Sequence, residues 1–512
     1  MSGSVGAGET ITFTEIPYTW KVPGQYMEVK AAVNENAVLA FPAYGLVMGQ
    51  MYTAGGNAGT AMPGVTYQVN SGPQANALFG TGSVLAKMIW KWLRANPYTP
   101  LDAVGFADAA GSAKAAGTVT IGGAATAAGT LAVYFGGVRV PVAVNQGDTS
   151  AVIAANLQAA IVLQNATSGY TPLPSLTSTY TAASSVVNLL AAHGGTLGNQ
   201  IDVRINYQRG DATPPGVTVT IAPMAGGATD PAATIASFLA GVSFWYTDVA
   251  FAWTDTTNIG VFSNWLVQRY GGMVKLDAHG YVAVSGTYGT VQTFLPNCKF
   301  LSAMAMQNPV MPSWEVAASM AGVCCYSAAQ QPALQMRSVP LPGVLPPASA
   351  DIFSPAAREV LLMAGLSTFT VDNTNNVYLE RVTTTFRIDP GTNVVDSNYF
   401  DLQDAKVPTR VRYDWNGYIG QLYPRNTLTN DGTIAAAYDP NAVTPGRLKA
   451  SWTGRCAVYE QNGWIQNSQV TAKASTFVID ANDGNRVNSR QQIQVMGNLM
   501  VLAGSLEFIS NN

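Results

Sequence analysis

The feature that most constrains this chain is an alternation of two periodicities on either side of a nearly charge-free block. In 31–111, "AVLAFPAYGLVMG" is a near-continuous apolar run, as in a strand buried on both faces. "GPQANALFGTGSVLAKMIWKWLRAN" then repeats its apolar positions Leu85, Met88, Ile89 and Trp92 at helical spacing, and "LDAVGFAD" reads as a further strand. In 229–345 the order resumes. "TDVAFAWTD", "GYVAVSG" and "KFLSAMAMQ" are strands. "NIGVFSNWLVQRYGG", ending at Gly271, and "PSWEVAASMAGVCCYSAAQ", with Ser313 as its expected cap, are helices. Strand–helix–strand order requires long crossovers, so a mostly parallel sheet covered by helices follows.

The block between them, 112–228, is rich in Gly, Ala, Thr and Val. "GTVTIGG", "GTLAVYFGG", "VRVPVAVNQGD", "NQIDVRINYQ" and "GVTVTIAP" are strands separated by turn signals. "DTSAVIAANLQAAI" is a helix with Asp148 or Thr149 at its N-cap. These residues predict an inserted, mainly antiparallel β domain. Proline-rich 338–353 reads as a boundary, and 346–490 as a C-terminal α+β core. The fold class expected is α/β and α+β multidomain. It comprises a discontinuous middle domain (31–111 and 229–345), the insertion, the core and two strand-like arms at 1–30 and 491–512.

The arms are short alternating segments. "ETITFTEI" sets Ile11 and Phe13 on one face and Ile16 on the other, and Pro17 stops it. "QQIQVMGNLMV" sets Ile493, Val495, Leu499 and Val501 on one face, with no later strand to form a hairpin. A terminal strand stays ordered only when tied down. The expected partner is another chain.

Composition narrows the function. Charged residues make up 11 % of the 512, where about 25 % is typical, and apolar residues 48 %. With 26 basic and 29 acidic residues, no basic excess points to nucleic acid. The N-terminus lacks the basic and apolar regions of a signal peptide. The apolar stretch at 232–253 is interrupted by Asp248 and fits a buried helix and strand, so membrane insertion is not expected. Cys298, Cys324, Cys325 and Cys456 form no CxxC pair and read as free thiols of a reducing compartment.

Catalytic signatures are scarce. His193 and His279 both sit beside Gly and read as turn residues. Gly80 and Gly82 permit a tight turn into a helix and do not complete a phosphate loop. Asp480, Asn482 and Asp483 of "DANDGNR" read as a solvated turn, without the bidentate Glu of a calcium loop. No catalytic site, cofactor or metal is expected, and association with proteins is. A hydrolase using Cys324 or Cys325 with a histidine, a capsid or tube subunit, and a secreted or outer-membrane adhesin are the rival readings.

Three stretches carry a resemblance. "ITFTEIPYTWKVPGQYMEV" (11–29), "PGVTYQVNSGPQANALFGTGSVLAKM" (63–88) and "REVLLMAGLSTFTVDNTNNVYLERVTTTFRID" (358–389) resemble, in this order, passages of the tail sheath proteins of contractile-tailed, Mu-like bacteriophages. In the last, a helix ends at Gly365 and a strand runs through Arg381 to Thr383-Thr384. The resemblance implies a helical homo-oligomer of six-fold rings around a tail tube protein, with baseplate and tail terminator proteins as further partners. It implies assembly in the host cytoplasm into the virion tail, and contraction that drives the tube through the host envelope. It also implies terminal arms that add strands to neighbouring subunits, an outward-facing insertion, and an inward-facing C-terminal core with Arg358 as a candidate tube-facing charge.

Overall fold

The computed structural model describes residues 17, 19, 21–27, 37–167, 176–294 and 296–509. The chain first forms β1 (Gly45–Gln50), β2 (Thr66–Gln68), α1 (Gly72–Phe79), α2 (Val84–Ala95) and β3 (Leu101–Phe106). The insertion holds β4 (Lys114–Gly123), β5 (Gly129–Phe135), β6 (Val138–Val144), α3 (Ser150–Thr167), β7 (Leu176–Tyr180), β8 (Val186–Gly194), β9 (Val203–Ile205) and β10 (Val217–Ala225). Then follow α4 (Ala232–Gly241), β11 (Asp248–Phe251), α5 (Thr256–Arg269), β12 (His279–Gly286), α6 (Tyr288–Gln292), β13 (Leu301–Gln307), α7 (Ser313–Gln330), α8 (Pro355–Met363), β14 (Leu366–Val371) and β15 (Val377–Arg381). The last third contains α9 (Leu402–Leu422), β16 (Thr427–Leu428), α10 (Ile434–Tyr438), β17 (Ala442–Val443), α11 (Pro445–Gln461), α12 (Ser468–Ala474), β18 (Thr476–Ile479) and β19 (Val487–Arg490).

The main sheet has the order β15-β14-β13-β12-β11-β1-β3-β2. Its six central strands are mutually parallel, and the two edge strands, β15 and β2, are antiparallel to their neighbours. Helices cover both faces, and glycines show how closely. A Cβ on Gly45 would come within 2.3 Å of the Trp92 ring of α2, and one on Gly280 within 2.5 Å of Phe262 of α5. Register pairs Gly45 with Asp248, and Asp248 with His279, so Gly280 lies on the opposite face from Gly45. α2 and α5 therefore press on opposite sides. Burial on both faces is why these strands read as continuous apolar runs.

The insertion is antiparallel throughout, in sheets β10-β4-β8-β7 and β6-β5-β9, with α3 against them and a separate apolar core. Its neck is closed by a bridge between Ala113 and Ala228. Asp108 adds a polar staple there. It binds His193 Nδ1 at 2.8 Å, the Gly194 N–H at 2.7 Å and Gln50 Nε2 at 3.0 Å.

Gly80 and Gly82 do form the turn into α2, with φ of 92° and 82°, and a short helix, α1, precedes them. Several expectations are corrected. Only the last part of the apolar run at 37–49 is strand, from Gly45 on. Ser313 does not cap α7. Pro312 occupies that position, and Ser313 Oγ binds Gln200 Oε1 at 2.6 Å. His193 and His279 are not turn residues: both are buried within strands, β8 and β12. The proline-rich segment is no simple linker. Residues 338–341 run beside β15, with Ser338 N–H to Leu379 O at 2.8 Å and Leu379 N–H to Val339 O at 2.9 Å. The main sheet thus continues past 345 through β14 and β15. The packing break falls inside α9, where Ala405 joins the main core and Val407 a third one. Among the described residues no helix is long and apolar enough to cross a membrane.

Candidate assembly surfaces of the C-terminal region

The C-terminal region is fastened to the main sheet by buried charge. Lys406 on α9 reaches Asp248 at the start of β11, Nζ to Oδ1, at 2.6 Å. Tyr281 donates its hydroxyl to the same carboxylate at 2.8 Å. Such a pair withstands burial only because its remaining valences are satisfied. His279 lies beside it, with Nε2 2.9 Å from Ser302 Oγ. Burial, then the nearby Lys406, hold its pKa well below the usual histidine value, so it stays neutral. Arg412, further along α9, pairs with Asp277.

A second buried centre holds the region itself together. Asp414 on α9 is fully buried and receives Arg455 of α11 through two bonds, 2.6 Å from Nε and 2.7 Å from Nη2. The Tyr459 hydroxyl donates to it at 2.7 Å, and the Leu39 N–H at 2.7 Å. Arg455 also bonds Ala37 O at 3.0 Å. Residues 37–39 are thereby pinned to the C-terminal region before the chain enters β1. Burial, then Asp414, raise the Tyr459 pKa, which keeps its proton on the donating side.

On this platform lies the C-terminal segment. Within its own chain, 491–501 pairs at one bridge, Val495 with Ile465. Residues 491–498 nevertheless stay on their own chain. Gln492 N–H bonds Ser475 Oγ at 3.0 Å, Met496 N–H bonds Trp464 O at 3.1 Å, and Gln466 N–H bonds Gln494 O at 2.9 Å. Asn498 Nδ2 reaches Ala333 O at 3.0 Å. Ile493, Val495 and Met496 pack against the core formed by Trp452, Tyr459, Trp464 and Ile465. Ile493 and Val495 thus rest on their own subunit's core, where the sequence placed them against a neighbour.

Past Asn498 one more bond, Arg337 Nη1 to Met500 O at 2.9 Å, ties the segment down, while its large apolar side chains turn out to solvent. Leu499 is 74 % exposed, Val501 80 %, Leu502 85 %, Leu506 94 %, Phe508 84 % and Ile509 95 %. Six large apolar side chains within eleven consecutive residues are far more than scattered surface hydrophobics. Next to the platform, β18 and β19 form a two-stranded antiparallel sheet, joined by the turn in which Asp480 accepts the N–H groups of Asn482 and Asp483. Among the described residues these strands pair only with each other.

Ile11, Phe13 and Ile16 lie outside the described residues. Arg358, on α8, is mostly covered; its Nε lies 2.8 Å from Glu380 Oε2 and its Nη1 donates to Phe353 O at 2.7 Å. The free charge envisaged for a tube contact is therefore already compensated within the subunit. Thr383 and Thr384 are buried, and Thr384 donates to Tyr399 O. Cys324 and Cys325 are sealed inside α7, and burial foremost raises both thiol pKa values. A thiolate nucleophile is disfavoured there. Among the described residues, no three His, Cys, Asp or Glu side chains converge as a metal site.

The buried pairs were not singled out by sequence reading. Asp248 had a signal, a lone acid inside an apolar run, but its partner lies 158 residues away. Asp414 and Arg455, 41 residues apart, had none.

No protein-family model matches the chain. It is 29 % identical over 506 residues to the Mu-like prophage FluMu tail sheath protein of Haemophilus influenzae, an alignment spanning 98 % of this chain and 100 % of that one. Similar solved structures include the sheath tail protein of Desulfitobacterium hafniense, 12 % identical with a TM-score of 0.46, covering 92 % of this chain and 100 % of that one. Another is the anti-feeding prophage helical sheath in its contracted state, 10 % identical with a TM-score of 0.46, covering 96 % and 99 %.

Proposed function

We propose that the chain is a structural subunit of a contractile tail sheath that polymerises helically around a tail tube. The observation that carries this reading is the end-to-end match to a tail sheath protein. The exposed apolar segment at 499–509 supports it, because a polymer supplies the surface that a lone subunit lacks.

In this reading the C-terminal segment has two functions. Residues 491–498 anchor it to its own subunit, and 499–509 reach a neighbour. The β18–β19 pair is the receiving surface, extended by strand addition. Each backbone bond would contribute about 1 kcal/mol net. Each large apolar side chain would add about 1.5–3 kcal/mol if fully buried. Ordering each residue costs about 1–2 kcal/mol, so the segment holds only where pairing and burial occur together. The N-terminal arm, with Ile11, Phe13 and Ile16, joins the same mesh from another neighbour. Head-to-tail contacts of this kind generate an open helix and not a closed ring of two. Contraction is then a rigid-body rearrangement of subunit bodies while the arms stay paired. The tube, baseplate and terminator proteins are the remaining partners, and the insertion faces outward, away from the tube.

Negative-stain electron microscopy of the purified chain tests this, alone and with tube protein added. Hollow striated tubes are expected from the full-length chain and not from a chain ending at Asn498. A full-length chain that stays a folded monomer even with tube protein present would overturn the reading.

A further inference from the structure

A groove of about 850 Å³ runs between the body and the insertion. One wall is α2, which presents Lys87, Lys91 and Arg94, with Glu315 of α7 behind them; the other carries Arg139 of β6. The spacing Lys87, Lys91, Arg94 sets all three cations on one helix face. Four cations thus line the groove with one carboxylate, Glu315, while Arg139 is paired by Asp211 at 2.8 Å outside that lining.

The compensation is poor where it matters most. Lys91 is well served, 3.1 Å from Glu315 and 2.7 Å from Gly343 O. Lys87 is nine-tenths buried, yet its nearest carboxylate, Glu315, is 3.9 Å away. Burial draws the Lys87 pKa down to about 8, Glu315 opposing and Lys91 adding to the drop. Arg139 Nε is buried with no hydrogen-bond partner. Arg94 is exposed at the rim and makes no hydrogen bond or ion pair among the described residues. A buried cation with a distant partner and a buried N–H with none are costly, and one bound anion would relieve both.

We propose that this groove binds a polyvalent phosphate-type anion, held by Lys87 and Arg94 from the body and Arg139 from the insertion. Arg139 and Arg94 are suited to it because their planar forks match oxyanion geometry. An anion bound there would clamp the insertion to the body. The inference stands apart from the sheath reading, since it concerns a single subunit.

The test is calorimetric titration of the full-length chain with sodium pyrophosphate, with sodium chloride at matched ionic strength as control. Saturable binding is expected, with a melting temperature that rises as the site fills. Arg94→Gln should weaken binding by about tenfold or more, the loss of one charge-assisted bond. Its melting in chloride alone reports whether the variant is folded. Arg139→Gln should weaken binding similarly. No saturable heat above the chloride control, or unchanged affinity in a folded Arg94→Gln variant, would overturn the proposal.

Discussion

Residues 491–498 and 499–509 both carry apolar side chains on backbone without regular secondary structure and meet opposite fates. Ile493 and Val495 settle on the tryptophan-rich core under α11. Leu499 and Val501, on the same alternating face in sequence, stand 74 % and 80 % exposed. Periodicity tells which side of a segment is apolar and is silent about whose surface covers it. That is decided by where the platform ends. Trp464 and Ser475 offer backbone and hydroxyl partners as far as Met496, Ala333 as far as Asn498, and Arg337 a last bond to Met500 O at 2.9 Å, past which no large apolar side chain is covered.

The anchored half depends first on the platform beneath it. Asp414→Ala leaves the Arg455 guanidinium buried without its carboxylate, and is expected to cost about 3–5 kcal/mol in chemical denaturation. A loss under about 1 kcal/mol would mean that the buried centre does not organise the region. A smaller effect separates two truncations. Ending the chain at Arg490 removes Ile493 and Val495 and should lower subunit stability by roughly 2 kcal/mol. Ending it at Asn498 should leave stability within about 0.5 kcal/mol while abolishing polymers. Point changes sharpen the boundary further. Ile493→Ala is expected to cost about 1 kcal/mol in the isolated subunit, less than a fully buried site because the side chain is half-covered. Leu499→Ala should cost under about 0.5 kcal/mol there and show its effect only in assembly.

A separate effect is a pH dependence at the first turn of α9. Burial raises the Asp404 carboxyl to about 6, outweighing the Asp401 N–H that it accepts; the Asp401 charge adds to the rise. The folded state then binds this proton more tightly than the unfolded chain. The associated stability is present below the ordinary carboxylate range and is lost as pH rises through about 6. Asp404→Asn should flatten the stability profile across that window, as thermal melts at a series of pH values would record.

The parallel sheet was legible because both its faces are buried, which writes strands as unbroken apolar runs, and because intervening helices force parallel order. The insertion was legible from its lack of charge and its turn residues. The place of β14 and β15 was not. The prolines before them read as a boundary, whereas Pro340 sits on a sheet edge, where a missing N–H costs nothing. The histidines were misread from their glycine neighbours, since local context does not reveal Asp108 or Ser302 waiting across the fold. The alternation of 491–501 showed where the segment is apolar, but its contacts with residues 333, 337, 464 and 475 are encoded in no local pattern.

Hydrogen exchange on the free subunit and on assembled tubes tests the central claim most directly. Amides in 491–498 should be protected in both states, and amides in 499–509 should be open in the free subunit and protected in the tube. Tubes that remain intact while 499–509 exchanges freely would show that the exposed segment does not join subunits, and would contradict the account.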